Sequence, residues 1–234
     1  NSNFKEVTLG YTIEMAQEEA TRCLQCKNAP CMGGCPVSVH IPQFINHLVT
    51  GDLDSAYDAI SQTNNLPAIC GRVCPQESQC EGVCTRGIKS ESVAIGRLER
   101  FVADWHMNNS YNKPIEVTSQ NAKVAVIGSG PSALSCAADL AKMGYQVVMF
   151  EAFHTAGGVL MYGIPEFRLP KKLVQKELKN VIGLGVKLQT NTIIGRTISI
   201  NDLFDQGFQA IYVSTGAGLP SFLGIPGENL NGVY

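Results

Sequence analysis

Residues 23–36 read CLQCKNAPCMGGCP, which places four cysteines within thirteen residues and closes the run with a Cys-Pro step. A second quartet occupies residues 70–84, which read CGRVCPQESQCEGVC. Thiolates are soft ligands that suit both iron–sulfur clusters and zinc, but zinc sites more often have two cysteine pairs separated by a longer loop. A dense run that ends in Cys-Pro is typical of iron–sulfur ligation, in which the last cysteine can bind a second cluster. The quartets therefore favour two iron–sulfur clusters, with zinc, disulfides or free thiols as alternatives.

The overall composition narrows the class of protein. The chain has 234 residues, a net charge of −2 and 44% hydrophobic residues, so nothing in it favours binding to nucleic acid or to a membrane surface. We find no apolar run of the length that a membrane span needs and no signal-peptide pattern. We therefore expect a cytoplasmic protein, in which dense cysteines more often bind metal than form disulfides. The ninth cysteine, Cys136, is expected to be a small core residue.

Residues 1–108 are expected to form a domain of short helices around the cysteine loops. Thr12 is a candidate N-cap for the first helix, and Ser92 for a later helix that reaches His106. No run in this region has the pattern of a strand. Residues 109–121 are polar and predict a linker.

A second domain, of the α/β class, is expected over residues 122–234. An apolar strand leads into a helix and then into a second strand that ends at Glu151. The turn has the pattern Gly128-x-Gly130-x-x-Ala133, in which the glycines allow a tight turn and a close approach to a pyrophosphate. A carboxylate at the tip of the second strand can accept hydrogen bonds from a ribose. The sequence therefore predicts a dinucleotide site in a Rossmann-like fold.

Glu99 has an unexpected position in the helix that follows the second quartet. It falls within the apolar face made by Ile95, Leu98 and Val102, where a carboxylate must be paired or bound to a ligand. The pattern alone allows an ion pair with Arg97 or Arg100, as well as a ligand role.

Together these motifs resemble the small (β) subunit of bacterial glutamate synthase and its relatives. The relatives include the N-terminal half of dihydropyrimidine dehydrogenase and the large subunit of NADH-dependent ferredoxin:NADP oxidoreductase. The resemblance covers almost the whole chain and is carried by RCLQC (22–26), CMGGCP (31–36), ICGRVCPQE (69–77), AIGRLERF (94–101), VIGSGPSA (126–133) and GGVLMYGIPEFRLP (157–170). It implies an α + α/β protein, in which a helical domain with two [4Fe-4S] clusters precedes a partial, doubly wound Rossmann-like domain that binds FAD.

The resemblance also implies which residues bind the cofactors. One cluster would be held by Cys23, Cys26, Cys31 and Cys84. The other would be held by Cys35, Cys74, Cys80 and Glu99, and dihydropyrimidine dehydrogenase has glutamine at the position of this glutamate. Whether Glu99 or Cys70 is the eighth ligand stays open at this point. FAD would be bound at its pyrophosphate by Gly128, Ser129, Gly130, Pro131, Ser132 and Ala133, at its ribose by Glu151, and along the flavin by Gly157, Gly158, Val159, Leu160 and Arg168. A helix-cap partner is the alternative role for Arg168.

The function that the resemblance implies is electron transfer. NAD(P)H would reduce FAD, and electrons would pass to the clusters and then to a partner, either the glutamate synthase large subunit or its equivalent, or ferredoxin. We see no catalytic acid or base, and hydride transfer to a flavin needs none. Relatives continue into an NAD(P)H-binding domain, before which this chain stops, so we expect a truncated form that lacks the nicotinamide site and whose own activity stays open. A ferredoxin:NAD(P) oxidoreductase-type or dihydropyrimidine dehydrogenase-type module, a non-catalytic cluster relay, and a zinc-stabilised adaptor are the other hypotheses.

Overall fold

The computed structural model describes residues 3–109, 118–218 and 221–232. The first of these ranges contains helices and no strand. The helices are α1 (Ile13–Thr21), α2 (Pro30–Gly34), α3 (Ile41–Thr50), α4 (Leu53–Ser61), α5 (Pro67–Val73) and α6 (Ile95–Asn109), with 3-10 turns at Gln76–Ser78 and Thr85–Ile88. Most of the predicted linker lies outside the described residues, and the domain boundaries stay a prediction.

The helix starts follow local chemistry, although not always as the sequence suggests. Helix α1 begins as predicted, because the Thr12 hydroxyl accepts a hydrogen bond from the Met15 amide at 3.3 Å. The cap predicted at Ser92 is wrong, since its hydroxyl donates to the Glu81 carbonyl at 2.8 Å and α6 begins only at Ile95. Helices α2 and α5 lie inside the predicted cysteine loops, and each has a proline in its first turn, where the missing N–H costs nothing.

The first core lies between α1, α3, α4 and α6. Its largest side chains are fully buried, among them Phe44, Ile45, Leu48, Ile60 and Leu98. These residues recur at helical spacing, so each helix presents one apolar stripe to its neighbours. Five cysteines of the two quartets adjoin this core. Cys80 is buried within it, and four others pack against it, namely Cys23, Cys31, Cys35 and Cys84.

The second part of the chain is a parallel sheet with helices, as predicted for a Rossmann-like fold. Its elements are β1 (Lys123–Ile127), α7 (Pro131–Lys142), β2 (Gln146–Phe150), α8 (Val159–Tyr162), α9 (Lys171–Gly183), β3 (Lys187–Gln189), α10 (Ile200–Asp205) and β4 (Ala210–Val213). The strand order is β3-β2-β1-β4, and all three pairings are parallel. In the register, Val126 lies opposite Met149 and Tyr212. A short turn connects the carboxyl end of β1 to the start of α7, and such folds bind their ligands at this edge of the sheet.

The two parts share apolar packing through α5. Leu66 and Ile69 are buried in the same cluster as Val126 and Leu134 of the sheet and α7. The other side of α5 packs closely along α6. Helix α5 therefore links the second core to α6 of the first part, and it carries Cys70 and precedes Cys74. Of the helices in the described ranges, none combines the length and the apolar character that crossing a bilayer requires.

Candidate metal centres and nucleotide site

Cysteines from both quartets meet around one cavity. We call Cys23, Cys26, Cys31 and Cys84 the first thiol site. The space between these side chains and their neighbours is about 370 Å³, part of it open to solvent. Its walls are largely apolar and include Ile41, Ile45, Val93 and Ile95. These four cysteines are the set that the resemblance implies for one cluster, although Cys84 is more than fifty residues from the other three.

The thiols of the first site are costly to ionise together. Burial raises the pKa of Cys23, and it raises the pKa of Cys31 to about 11, with the neighbouring Cys23 and Cys84 adding to the effect. Polar groups approach two of the sulfurs, since the Gln25 amide donates to Cys23 Sγ at 3.6 Å and Cys26 Sγ lies 3.5 Å from the Thr85 hydroxyl. Four clustered thiolates are stabilised when a cation is bound between them.

The remaining predicted ligands interact with one another at a second place. We call Cys35, Cys74, Cys80 and Glu99 the second thiol site. Burial raises the pKa of Cys80 to about 12, with the charges of Glu81, Glu99 and Cys35 adding to it. Burial likewise raises the pKa of Glu99 to about 8, and the Cys74 thiolate contributes to this rise. In the part of the chain that the structure describes, no three His, Cys, Asp or Glu side chains converge closely enough to hold a single metal ion.

Cys70 lies next to the second thiol site. A hydrogen bond between the two sulfurs raises the pKa of Cys70 and lowers that of Cys74 to about 7. Cys70 Sγ also lies 3.5 Å from Asn64 Oδ1. Cys70 and Glu99 therefore both adjoin Cys74, and the choice between them as the eighth ligand stays a prediction.

Glu99 is not paired with an arginine among the described residues. Its Oε1 accepts a hydrogen bond from the Asn64 amide at 2.6 Å. Arg100 contacts Glu6 at 3.0 Å instead, and Arg97 lies over the ring of Tyr11. The ion-pair alternative from the sequence is therefore wrong for both arginines, and Glu99 is a buried carboxylate with one amide partner.

Gly71 allows α5 and α6 to approach closely, and Gly96 of α6 makes room for Gln76 in the turn that follows α5. A Cβ atom on Gly71 would lie 2.6 Å from the Arg100 backbone nitrogen, and one on Gly96 would clash with the Gln76 side chain. Gln76 in turn donates to the Cys70 carbonyl at 3.0 Å. This packing brings Glu99 against the end of α5. The glycines stand in the quoted motifs, but sequence reasoning did not recognise their packing role.

The dinucleotide turn has the geometry that its pattern predicts. Gly128 has a φ of 106°, and a Cβ atom there would clash with the Ser214 carbonyl. At Gly130 a Cβ atom would meet nothing within 4 Å, so the backbone is open to a ligand on that side. Pro131 begins α7 without a side-chain cap, and Ala133 is fully buried. The free N–H groups at the start of α7 can bind an anion.

Glu151 lies at the tip of β2 as predicted, but it is buried and takes part in a local network. It accepts hydrogen bonds from the Ser129 hydroxyl and from the Phe153 amide, the latter at 2.8 Å. Ser129 accepts in turn from the Gly157 amide at 2.9 Å. Each carboxylate oxygen can accept a second hydrogen bond. Ser129 thus joins the turn, the acid and the glycine segment, a role that its place in the motif did not reveal.

The predicted flavin segment approaches the same turn. A Cβ atom on Gly158 would lie 2.9 Å from Gly130 Cα, which requires glycine at this crossing. Val159 is exposed, whereas Leu160 is buried in the core beneath. Arg168 is exposed and stands apart from the turn in sequence. Of these predicted flavin residues, Val159 and Arg168 are therefore exposed, whereas Leu160 packs in the core of the domain.

Lys171 supports this segment, although sequence reasoning did not identify it. Its ammonium group donates to the Leu160 carbonyl at 2.8 Å and to the Ile164 carbonyl. The first carbonyl belongs to the short helix α8 and the second lies just after its end, where a cation is favourable. A lysine after the motif proline is too common to have been recognised from sequence alone.

Two protein families match successive parts of the chain. Residues 1–111 match the family described as dihydropyrimidine dehydrogenase domain II, 4Fe-4S cluster. Residues 126–168 match the family described as NAD(P)-binding Rossmann-like domain.

Curated relatives match along nearly the whole chain. The glutamate synthase [NADPH] small chain of Escherichia coli (strain K12) is 34% identical over 99% of this chain and 49% of that protein. The same small chain of Azospirillum brasilense is 35% identical over 99% of this chain and 48% of that protein. The NAD-dependent dihydropyrimidine dehydrogenase subunit PreT of Escherichia coli (strain K12) is 35% identical over 93% of this chain and 53% of that protein. The chain spans about half the length of these relatives, and over that span it is similar to the glutamate synthase small chain. Its two parts are a 4Fe-4S domain and, after it, a Rossmann-like nucleotide-binding domain.

Proposed function

We propose that this chain is an electron-transfer module that binds two [4Fe-4S] clusters and FAD. Within a complete oxidoreductase it would relay electrons from NAD(P)H to a partner subunit. The observation that carries the proposal is the first thiol site, where Cys84 of one quartet joins Cys23, Cys26 and Cys31 of the other. Crossed ligation of this kind is a property of proteins with two clusters close together.

The residues of the first thiol site fit a [4Fe-4S] cluster. Four thiol groups supply the soft donors that iron requires, and apolar walls limit the access of water. Burial and mutual repulsion raise the pKa of Cys31, so a cationic iron–sulfide core would stabilise the thiolates that must bind it. When bound, such a cluster accepts and releases single electrons. The chain itself would hold the cluster and exclude solvent.

The second thiol site fits a cluster with one carboxylate ligand. The Asn64 side-chain Nδ2 donates to Glu99 Oε1, and its Oδ1 accepts from the Leu66 backbone amide at 2.9 Å. The second hydrogen bond fixes the orientation of the amide, and the amide then orients the carboxylate. The other oxygen of Glu99 remains able to bind iron beside Cys74 and Cys80. In this proposal Cys70 is not a ligand.

FAD is the nucleotide that we propose for the Rossmann-like domain. The open backbone at Gly130 and the start of α7 suit a pyrophosphate, and Glu151 retains acceptor capacity for a ribose. Helix α5 supports a direct link from this domain to the second thiol site, because Ile69 is buried in the Rossmann core and Cys74 ends the same helix. The second thiol site would therefore adjoin the nucleotide domain.

We also propose that the complete protein is an oxidoreductase that acts together with a partner subunit. The names of the relatives describe a small chain and a subunit, which supports assembly with a further subunit. That subunit would determine the final electron acceptor. We further propose domain limits of 1–108 and 122–234, with a linker over 109–121, and a cytoplasmic location that suits oxygen-sensitive clusters.

Cofactor analysis of the anaerobically purified chain tests the proposal. We expect about eight irons and as many sulfides per chain, with broad absorption at ~400 nm and one bound flavin. Cys31→Ser should lose about half of the iron, because one cluster loses a ligand. Cys136→Ser is the matched control and should keep all of it, since Cys136 lies in α7. Stoichiometric zinc without iron after reconstitution would contradict the proposal and favour the zinc-stabilised adaptor.

A further inference from the structure

Arg86 occupies an unusual position beside the first thiol site. It follows Thr85 in the 3-10 turn that begins after Cys84, and its side chain lines the same cavity as the four thiols. Its Nε is buried and, among the described residues, has no hydrogen-bond partner. Buried N–H donors are almost always paired in native proteins, so an unpaired donor requires an explanation.

The positive charge of Arg86 is also unpaired within the described part of the chain. Two arginines with well-buried side chains, Arg72 and Arg100, form ion pairs with Glu6 and Asp104, whereas Arg86 is partly exposed. Among the residues that the structure describes, no acidic side chain forms an ion pair with Arg86. A guanidinium stays protonated in proteins, so its charge cannot be removed by a change in pKa. The cavity lined by the four thiols is therefore bordered by a residue that carries a permanent positive charge and a free N–H donor.

We propose that Arg86 is the charge partner of the cluster held in the first thiol site and raises its reduction potential. Its Nε–H would donate to a cysteine or sulfide sulfur, where Gln25 and Thr85 already supply polar contacts to Cys23 and Cys26. Hydrogen bonds to the sulfurs and the net charge of the site set the potential of a cluster. The inference rests on the proposed function, because it requires the cluster to be present.

The direction of the effect follows from charge. Four thiolates outweigh the charge of the iron–sulfide core, and reduction adds one electron to a site that is already negative. A nearby cation stabilises the reduced state more than the oxidised state. Arg86 is protonated in both states, so it accepts and releases no proton in this step.

The second thiol site lacks an equivalent contact among the described residues. Glu99 and Glu81 place carboxylates beside Cys80, and the nearby Arg72 and Arg100 are already paired with acids. We therefore infer that the cluster of the first thiol site has the higher potential of the two. Electrons that enter through the second site, next to the nucleotide domain, would then move downhill to the first.

A redox titration of the reconstituted full chain tests this inference. Iron and sulfide are measured first, and the two clusters are then titrated with dithionite under EPR detection. Glu99→Gln identifies the signal of the second site, because it changes a ligand there. We expect Arg86→Gln to keep its iron and to shift only the other signal to a more negative potential. Arg86→Lys keeps the charge but loses the Nε–H, so it should shift the same signal by a smaller amount.

Lys89→Gln is the matched control. It also removes one positive charge, but Lys89 is exposed and lies three residues after Arg86. Its titration should equal that of the unsubstituted chain. An unchanged potential in Arg86→Gln, an equal shift in Lys89→Gln, or a shift of the Glu99-sensitive signal would each overturn the inference. If Arg86→Gln loses iron, the test depends on Arg86→Lys alone. An unchanged potential of the first-site cluster in Arg86→Lys then overturns the inference. Absence of iron from the unsubstituted chain overturns the proposed function and this inference together.

Discussion

At the scale of single residues, buried charge distinguishes the candidate ligand Glu99 from the apolar residues of the core. Glu99 is buried with one amide partner, and its pKa is raised to about 8 because burial disfavours the carboxylate. A buried carboxylate without a cation is unfavourable, so selection for stability alone would favour an apolar residue there. The stripe in α6 predicted this conflict from sequence, and the structure excludes the ion pairs that would have resolved it.

The choice of the eighth ligand is decided by paired substitutions. We expect Glu99→Ala to lower the iron content to about half, because the second cluster loses a ligand, whereas Cys70→Ser should keep the full content. Glu99→Gln should retain the cluster, since an amide oxygen can replace the carboxylate. Iron and sulfide assays after anaerobic reconstitution provide the measurement. Loss of iron in Cys70→Ser together with retention in Glu99→Ala would assign the ligand role to Cys70.

At the scale of elements, the crossing of α5 and α6 aligns the second thiol site. We expect Gly71→Ala to destabilise the protein by about 1–3 kcal/mol, because the new methyl group would overlap the Arg100 backbone. Gly183→Ala is the control, since a Cβ atom there meets nothing within 4 Å at the end of α9. Denaturant midpoints measured by far-ultraviolet circular dichroism compare the two variants. Equal midpoints would show that the crossing tolerates a side chain.

Helix α9 contributes a titratable side chain that contacts α5. Glu177 is almost fully buried and accepts from the Ala68 amide at 3.1 Å, and burial raises its pKa to about 7. Arg72, Asp104 and Tyr57 are the charged and titratable groups around it. The folded state therefore binds the proton more tightly than the unfolded state, whose carboxyl has a pKa near 4.5. This contribution to stability is present below about pH 4.5 and is lost as the pH rises through 7.

Substitution of Glu177 with glutamine isolates that contribution. Glutamine keeps an oxygen that can accept from Ala68 but cannot ionise, so we expect Glu177→Gln to be more stable than the unsubstituted chain at pH 8 by roughly 1–3 kcal/mol. Near pH 4.5 the two should be alike. Denaturation at both pH values measures the difference. The assignment fails if the advantage of the variant is the same at both.

At the scale of the whole molecule, the sequence predicted features that depend on residues close together in the chain. The βαβ unit with Glu151 at its tip, the helical character of the first part and the α1 cap all depend on short patterns with direct physical causes. The close approach at Gly71, the network through Ser129 and the unpaired Arg86 depend on segments that are distant in sequence. No periodicity reports such contacts. The meeting of Cys84 with the first quartet was implied by resemblance alone, because spacing within each quartet suggests separate sites.

Helix α5 packs against both parts of the chain, which leads to a prediction about cooperativity. Ile69 is buried in the Rossmann core although it belongs to the helical part, so Ile69→Ala should cost about 2–4 kcal/mol and loosen both. Ile60→Ala is the matched control, because Ile60 is buried in the first core alone. Hydrogen exchange followed by mass spectrometry resolves the two responses.

We expect Ile69→Ala to raise amide exchange in α6 and in α7, whereas Ile60→Ala should raise it chiefly in the helical part. Trp105, the one tryptophan of the chain, lies in α6 and gives a fluorescence signal for that part alone. If exchange in α7 is unaffected by Ile69→Ala, the two parts open independently. In the proposed relay, the distance between the nucleotide domain and the second thiol site would then vary, because α5 would no longer hold Cys74 at a fixed distance from the sheet.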